Sequence, residues 1–397
     1  MTTNRTAVQL VIVTAMQSEL SNWITRFPLA ESLPFPQGAE ASGAPLHLNR
    51  QSGVLGISTG QGPFAAATSL LALGHDERFD LRCAYWLATG IAGIDPAYGS
   101  IGSVVLPRYL VGLGRGYYLD GLGHVPQGRS SPDYDPPYPS NAAAASRGRL
   151  RLLDQHMAEM AFLLFSASGV RLSDTDTLRA ARARYSEDAA RQPPSVTLGG
   201  ASVTGETFWA GRMSTAWARN ASRYFTAGAA SLAVTQEEDI AWYEAIASLS
   251  RASPPLVNLS RLAYLRAASD YTYEPSGEPH ESLPEWFFSD PLHFVAYESF
   301  DALFVAGEPI ARALAPPLAA LLPAAGPTAA APPPPPRCRA WRPWVLIVLL
   351  ACTNLCTGAL ALRRCTSKRI VAGAADMDSS SPRWVELDKN KASQPIA

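Results

Sequence analysis

The chain has 397 residues, 47% of them hydrophobic, with 33 basic and 34 acidic side chains and a formal net charge of −1. That length and apolar content suffice for one large core or two smaller ones. A near-neutral chain without a basic stripe or an aromatic-interleaved basic patch excludes nucleic acid as a partner, and scattered histidines without HExxH or CxxC spacing give no expectation of a metal or other cofactor.

In chain order, apolar and β-branched stretches at 8–14, 54–59, 82–88, 103–113, 195–203, 229–235 and 262–267 read as strands. Segments 17–26, 64–73, 149–167, 237–250 and 294–314 read as helices. The alternation predicts an α/β sandwich with a mainly parallel sheet. After the strand at 82–88 comes Thr89-Gly90-Ile91-Ala92-Gly93. Small residues at the C-terminal end of a strand admit a ligand close to the backbone, and open α/β sheets gather ligands there. Residues 114–146, rich in Gly, Pro, Tyr and Ser, read as a long loop. Only Cys83 lies before the composition changes at Leu314, so no disulfide framework is expected to staple the globular part.

Beyond Leu314 the chain turns to Ala and Pro, ending in the proline run 332–336, an extended spacer. The expected organisation is therefore a globular domain at 1–314 and a linker at 315–343, followed by an apolar span at 344–362 and a polar tail at 363–397. The span carries no charge, begins with Trp344 and ends at Arg363-Arg364, close to the ~20 residues of a transmembrane helix. With no basic and apolar leader at the start, the expectation is a single-pass C-terminal membrane anchor with the large domain cytosolic, unless an upstream signal peptide is missing.

Three acids fall at strand ends or helix starts: Glu19 in VTAMQSEL, Glu238 in AVTQEEDIAW and Asp270 in LRAASDYTYE. Each also fits an acid complementing a helix dipole, a reading that suits Glu237 and Asp239 better. TGETFW places Phe208 and Trp209 after a strand and a glycine turn, where aromatic rings either stack on a flat base or fill the core. The turn Ser58-Thr59-Gly60-Gln61-Gly62 can approach a sugar or phosphate.

Taken in order, STGQGPFAAATSLLAL, LATGIAGIDPAYGSIGSVV, TGETFW, TQEEDIAWYEA and LRAASD resemble the nucleoside phosphorylase superfamily, and 8–314 as a whole is similar to the fungal purine nucleoside permease family. The resemblance implies a three-layer αβα sandwich around a mixed, mainly parallel sheet, with a purine nucleoside as ligand. By likeness to the methylthioadenosine nucleosidase branch, Glu19 would orient the attacking water, Phe208 would stack on the purine, Glu238 would hold the ribose hydroxyls, and Asp270, supported by Ser269, would protonate purine N7. Gly60, Thr89, Gly90, Ile91 and Glu237 complete the expected substrate contacts. The chain departs from that branch at Glu237, which replaces an apolar Met, and at Gln17 and Ser18, which replace acids.

Breaking an N-ribosidic bond builds an oxocarbenium-like sugar and a poor leaving group, so a proton donor at the base and carboxylates near the sugar suit the chemistry. Where phosphorylases of the superfamily offer phosphate an Arg and a Ser, this chain has Ala88 and Ile91, so water is the expected nucleophile. The resemblance thus favours a purine nucleoside N-ribohydrolase. The alternatives are a nucleoside uptake component that binds without turnover, and an inactive storage or scaffold protein like the plant bark storage proteins. One span cannot itself form a transporter bundle. Assembly as a homo-oligomer is left open.

Overall fold

The computed structural model describes residues 5–38, 43–113, 149–275 and 283–315. The expected loop at 114–146, the linker and the span at 344–362 lie essentially outside the described residues. The chain divides into two units, Met1–Leu350 and Ala351–Ala397, and every described residue belongs to the first. Among the described residues no helix is long and apolar enough to cross a membrane.

The strands are β1 (Thr6–Ala7), β2 (Leu10–Thr14), β3 (Glu31–Leu33), β4 (Leu46–Asn49), β5 (Val54–Ser58), β6 (Phe79–Asp80) and β7 (Tyr85–Ile94), followed by β8 (Val104–Leu106), β9 (Tyr109–Gly112), β10 (Leu150–Leu152), β11 (Val196–Leu198), β12 (Ala201–Thr204), β13 (Leu232–Gln236) and β14 (Leu262–Tyr271). The helices are α1 (Gln17–Arg26), α2 (Gly62–Gly74), α3 (Gln155–Ser168), α4 (Asp176–Ala183), α5 (Arg212–Phe225), α6 (Asp239–Ser250), α7 (Leu283–Ser289) and α8 (Ala296–Leu314). β1 and β6 pair apart from the rest, and the remaining strands form one 12-stranded sheet running β10-β9-β12-β13-β7-β2-β5-β4-β3, with β14 joining β7 to β8 and β8 to β11. The sheet is mixed. Parallel pairs of β7 with β2 and β14 form its centre, and antiparallel pairs such as β7 with β13 and β8 with β14 flank them.

β2 shows how the layers arise. All of its residues are buried, Val11 and Val13 in one apolar cluster and Leu10 and Ile12 in another, because alternate strand side chains point to opposite faces. Such a continuous apolar run needs cover on both sides. α2 and α6 cover one face with Leu70, Leu73, Trp242 and Ile246. α1, α3 and α8 cover the other with Leu20, Trp23, Ala161, Leu303 and Ile310. Each fully buried leucine-sized side chain contributes about 1.5–3 kcal/mol relative to exposure.

Several boundaries differ from those expected. The strand expected to end at 88 runs on through the glycines to Ile94, because β14 pairs with it in parallel from Trp86 opposite Leu262 to Ile94 opposite Tyr271. Two-sided pairing outweighs the weak strand propensity of glycine. The segment 103–113 breaks into β8 and β9 around Pro107, which has no N–H to pair. The segment 195–203 breaks at Gly199 and Gly200, with φ of 125° and 72°. Residues 149–167 begin as the strand β10, and α3 starts only after Asp154, whose side chain accepts the Met157 N–H at 2.9 Å. β3, β4, α4 and α5 carried no expectation. Cys83 is disulfide-bonded, which corrects the expectation that no disulfide serves the domain. Pairing of cysteines follows spatial proximity, which one sequence does not show.

Candidate active site

β7 shares one side between two neighbours. Its first half pairs with β2 as far as Ala88 opposite Val13, and its last residues pair with β13 from Gly93 opposite Thr235. Between these pairings the backbone of Thr89 to Ala92 faces a split in the sheet. The polar groups of Ile91 there need partners, and side chains supply them. Glu19 Oε1 accepts the Ile91 N–H at 2.8 Å, and Arg266 Nη1 donates to the Ile91 carbonyl at 3.1 Å.

Glu19 reaches this position from the first turn of α1. Its Oε2 accepts the N–H groups of Ala15 and Met16, both at 2.9 Å, so one carboxylate closes the capping box of the helix and bridges to β7. Burial pushes its pKa up from the ordinary 4.5 to about 7, opposed by Arg266 and two main-chain N–H groups and reinforced by the charge of Glu238.

Arg266, fully buried in β14, is the hub. Its Nε and Nη2 donate to Asp239 Oδ1 at 3.0 and 2.6 Å, and Nη2 also lies 3.2 Å from Glu238 Oε2. The guanidinium lies 4.8 Å from the Trp242 ring centroid. Asp239 accepts the Ser202 hydroxyl at 2.6 Å, and Gln236 Oε1 accepts the N–H groups of Glu238 and Asp239. Glu238 Oε1 receives the Gly62 N–H at 3.2 Å, which ties the ribose-holding candidate to the N-terminus of α2.

Asp270 sits beyond a register shift between Ala268 and Asp270, opposite Gly93. Such a bulge re-aims side chains at a strand end. Ser269 donates to Asp270 Oδ1 at 2.7 Å, and burial raises the Asp270 pKa from 3.8 to about 7 against that hydrogen bond. A Cβ on Gly93 would stand 2.9 Å from Asp270 Oδ2. Glu19 and Asp270 thus flank one stretch of β7, from Gly90 to Gly93.

The other expected residues divide. Gly60, at φ 85°, donates to the Ala15 carbonyl at 2.9 Å, so the turn lies beside the Glu19 cap. Thr89 is buried, its hydroxyl 3.4 Å from the Val13 carbonyl, and serves the sheet. Glu237 is half-buried, its pKa raised by burial and by the charges of Glu238 and Glu206. Phe208 is 56% exposed, and its described ring contact is edge-on to Phe287 of α7 at 5.1 Å rather than with Asp270. Through Phe287 it joins His293 and Trp286, and the N–H of nearby Val295 donates to the Ser269 carbonyl at 2.8 Å.

Arg266, Asp239, Gln236 and Ser202 were absent from the expected set. Asp239, read as a dipole acid, is instead the main counter-charge of Arg266. The available signal was Arg266 itself, a charged residue inside an otherwise apolar strand, which burial permits only with partners. The lack of an Arg at the glycine run therefore does not leave the site without one.

A layered α/β fold with charged groups converging at strand ends defines a small-molecule site. The chain belongs to the purine nucleoside permease family, whose model matches residues 7–316. A probable purine nucleoside permease of Schizosaccharomyces pombe is 30% identical over 236 residues, covering 57% of this chain and 66% of that protein. A purine nucleoside permease of Candida albicans is 28% identical over 311 residues, covering 75% and 73%. Among solved structures, a 5′-methylthioadenosine/S-adenosylhomocysteine nucleosidase from Neisseria meningitidis aligns with 17% identity and a TM-score of 0.42, covering 78% of this chain and 99% of that one. The corresponding nucleosidase of Campylobacter jejuni aligns with 13% identity and a TM-score of 0.45, covering 77% and 97%.

Proposed function

We propose that this domain binds a purine nucleoside and cleaves its N-ribosidic bond with water. The observation that carries the reading is the pair of buried carboxyls, Glu19 and Asp270, both held near pH 7 on either side of the Gly90–Gly93 stretch. Groups poised near the working pH suit an acid and a base acting together. Asp270 gives its proton to N7 as the C1′–N9 bond breaks and the bonding pair passes to the base. Glu19, ionised, takes a proton from the water that adds to C1′. Glu238 holds the ribose hydroxyls, Phe208 covers the base, and Ser269 orients Asp270.

Arg266 supports water over phosphate as the nucleophile. Its guanidinium is engaged by Asp239, Glu238 and the Ile91 carbonyl, so an incoming phosphate would have to displace existing carboxylate partners. The test is release of free base from inosine and adenosine by the purified full-length chain, with and without phosphate. Phosphate-independent release that Asp270→Asn abolishes supports hydrolysis, and phosphate dependence overturns the choice of nucleophile. The family name favours a second reading, in which the domain, anchored by 344–362, serves nucleoside uptake by binding. Saturable binding without release of base would favour it.

A further inference from the structure

The bulge that carries Asp270 is completed from outside the sheet. At Arg266 and Ala267, β14 pairs with β7 on one side and with β8 on the other. Ala268 then donates to the Ser103 carbonyl at 2.8 Å and accepts the Gly102 N–H at 2.9 Å, both from the β7–β8 connection. At the register shift the start of α8 takes over. The Ser269 carbonyl accepts the Val295 N–H at 2.8 Å, and the Ser299 hydroxyl lies 2.9 Å from the Ala268 carbonyl. Buried carbonyls at a disrupted ladder need donors, and one helical turn meets the two consecutive peptide groups that lead into Asp270. Those peptide groups also set the Ser269 and Asp270 side chains, whose 2.7 Å hydrogen bond orients the carboxyl.

Packing alone does not explain Ser299. It is fully buried and is the one polar side chain among the buried residues of α8, which otherwise bring Ala302, Leu303, Phe304, Ile310 and Leu314 to the core. A helical serine can bond the carbonyl four residues back, and that of Val295 lies at 2.9 Å. The Val295 carbonyl already accepts the Ser299 N–H at 3.2 Å. Thr68 and Ser166, whose hydroxyl acceptors lie in their own helices, stand at exposed positions, whereas Ser299 is set against the bulge itself.

We infer that Ser299 is a positioning residue for Asp270, its hydroxyl and the Val295 N–H together fixing the peptide groups from which the acid projects. Ser299 acts through the backbone and touches no reacting atom. The inference rests on the nucleoside reading above, in which Asp270 protonates the base.

The test is release of base from inosine and adenosine by the full-length wild-type chain, Ser299→Ala and Ser299→Cys, with Tm measured on each. Cysteine nearly keeps the volume of serine and replaces its hydroxyl with a weak donor. Both variants should lose about tenfold in kcat, less than the ~100-fold that an ångström of misplacement costs. KM should stay within about twofold, because the lost alignment matters in the transition state. Thr226→Val is the structural comparison. It removes a buried hydroxyl that bonds the Ala230 carbonyl at 3.0 Å just beyond the last residue of α5, and it should lower Tm while leaving kcat unchanged. Should the alanine variant fail to fold, the cysteine variant decides. A kcat that stays within about twofold, a loss that cysteine restores, or a loss no larger than that of Thr226→Val overturns the inference and leaves the nucleoside reading standing. A wild-type chain that releases base from neither nucleoside overturns both.

Discussion

Arg266 lies across Gly90 so closely that a Cβ on that glycine would overlap Arg266 Nη1 and stand 3.0 Å from Glu19 Oε1. Gly90 sits in a regular strand without positive φ. Its role is therefore space above the backbone, not backbone freedom. The same holds for Gly93 under Asp270.

Gly90→Ala should consequently displace Arg266 and Glu19 while leaving the sheet paired. Overpacking of this kind costs about 1–3 kcal/mol. Misplacing a reacting group by an ångström costs ~100-fold in rate. Base release and Tm measured together should show a much larger loss of activity than of stability, and an active Gly90→Ala enzyme would remove Glu19 from the mechanism.

Asp270→Asn should stabilise the protein in alkaline solution while abolishing turnover. The Asp270 carboxyl titrates near 7 in the folded chain and near 3.8 when exposed. Between those values the folded state holds a proton that the unfolded state has lost, so stability falls as pH rises. The penalty is complete above pH 7 and absent below pH 4, and its ceiling is roughly 4 kcal/mol. Urea titrations at pH 8 should find Asp270→Asn more stable by about 2–4 kcal/mol, and at pH 4 the two proteins should coincide.

The pH profile of kcat/KM should be a bell centred near neutrality. Turnover needs Glu19 ionised and Asp270 protonated, and both titrate near 7. Only part of the enzyme carries that combination at any pH, so the maximum is narrow. Rates that rise steadily to pH 9 would exclude Asp270 as the acid.

Arg266→Met should destabilise the fold far more than its volume change suggests. Removal of the guanidinium leaves Asp239 and Glu238 buried beside each other without a cation, a loss of about 3–5 kcal/mol. Adding Asp239→Asn to Arg266→Met should recover part of that loss, because one stranded charge is removed. A double variant whose loss equals the sum of the two single losses would show that the two residues act independently.

Much of the fold was legible from period and composition. The apolar runs of β2 and β5 and the start of β14 announce buried strands, and Gln17–Arg26 appears as a helix with the expected ends. The strands β3 and β4 and the helices α4 and α5 are short or polar, and they depend on packing rather than on local pattern. Glu19 and Asp270, expected at strand ends, both lie against β7, Glu19 at Gly90 and Ile91 and Asp270 at Gly93. Phe208 is exposed and meets Phe287 edge-on.

By itself the sequence determined which residue types stand at the ends of which strands, because periodicity and glycine placement are properties of neighbours along the chain. The charge network was decided only in three dimensions. Arg266 and Asp239 lie 27 positions apart, and each has a bland local reading, one as a strand arginine and the other as a helix-start acid. The division of β7 between β2 and β13 brings them together over Gly90. In that setting Gly90 leaves room for Arg266 and Glu19 and Gly93 leaves room for Asp270, and buried charges are tolerated only where folding supplies partners for them.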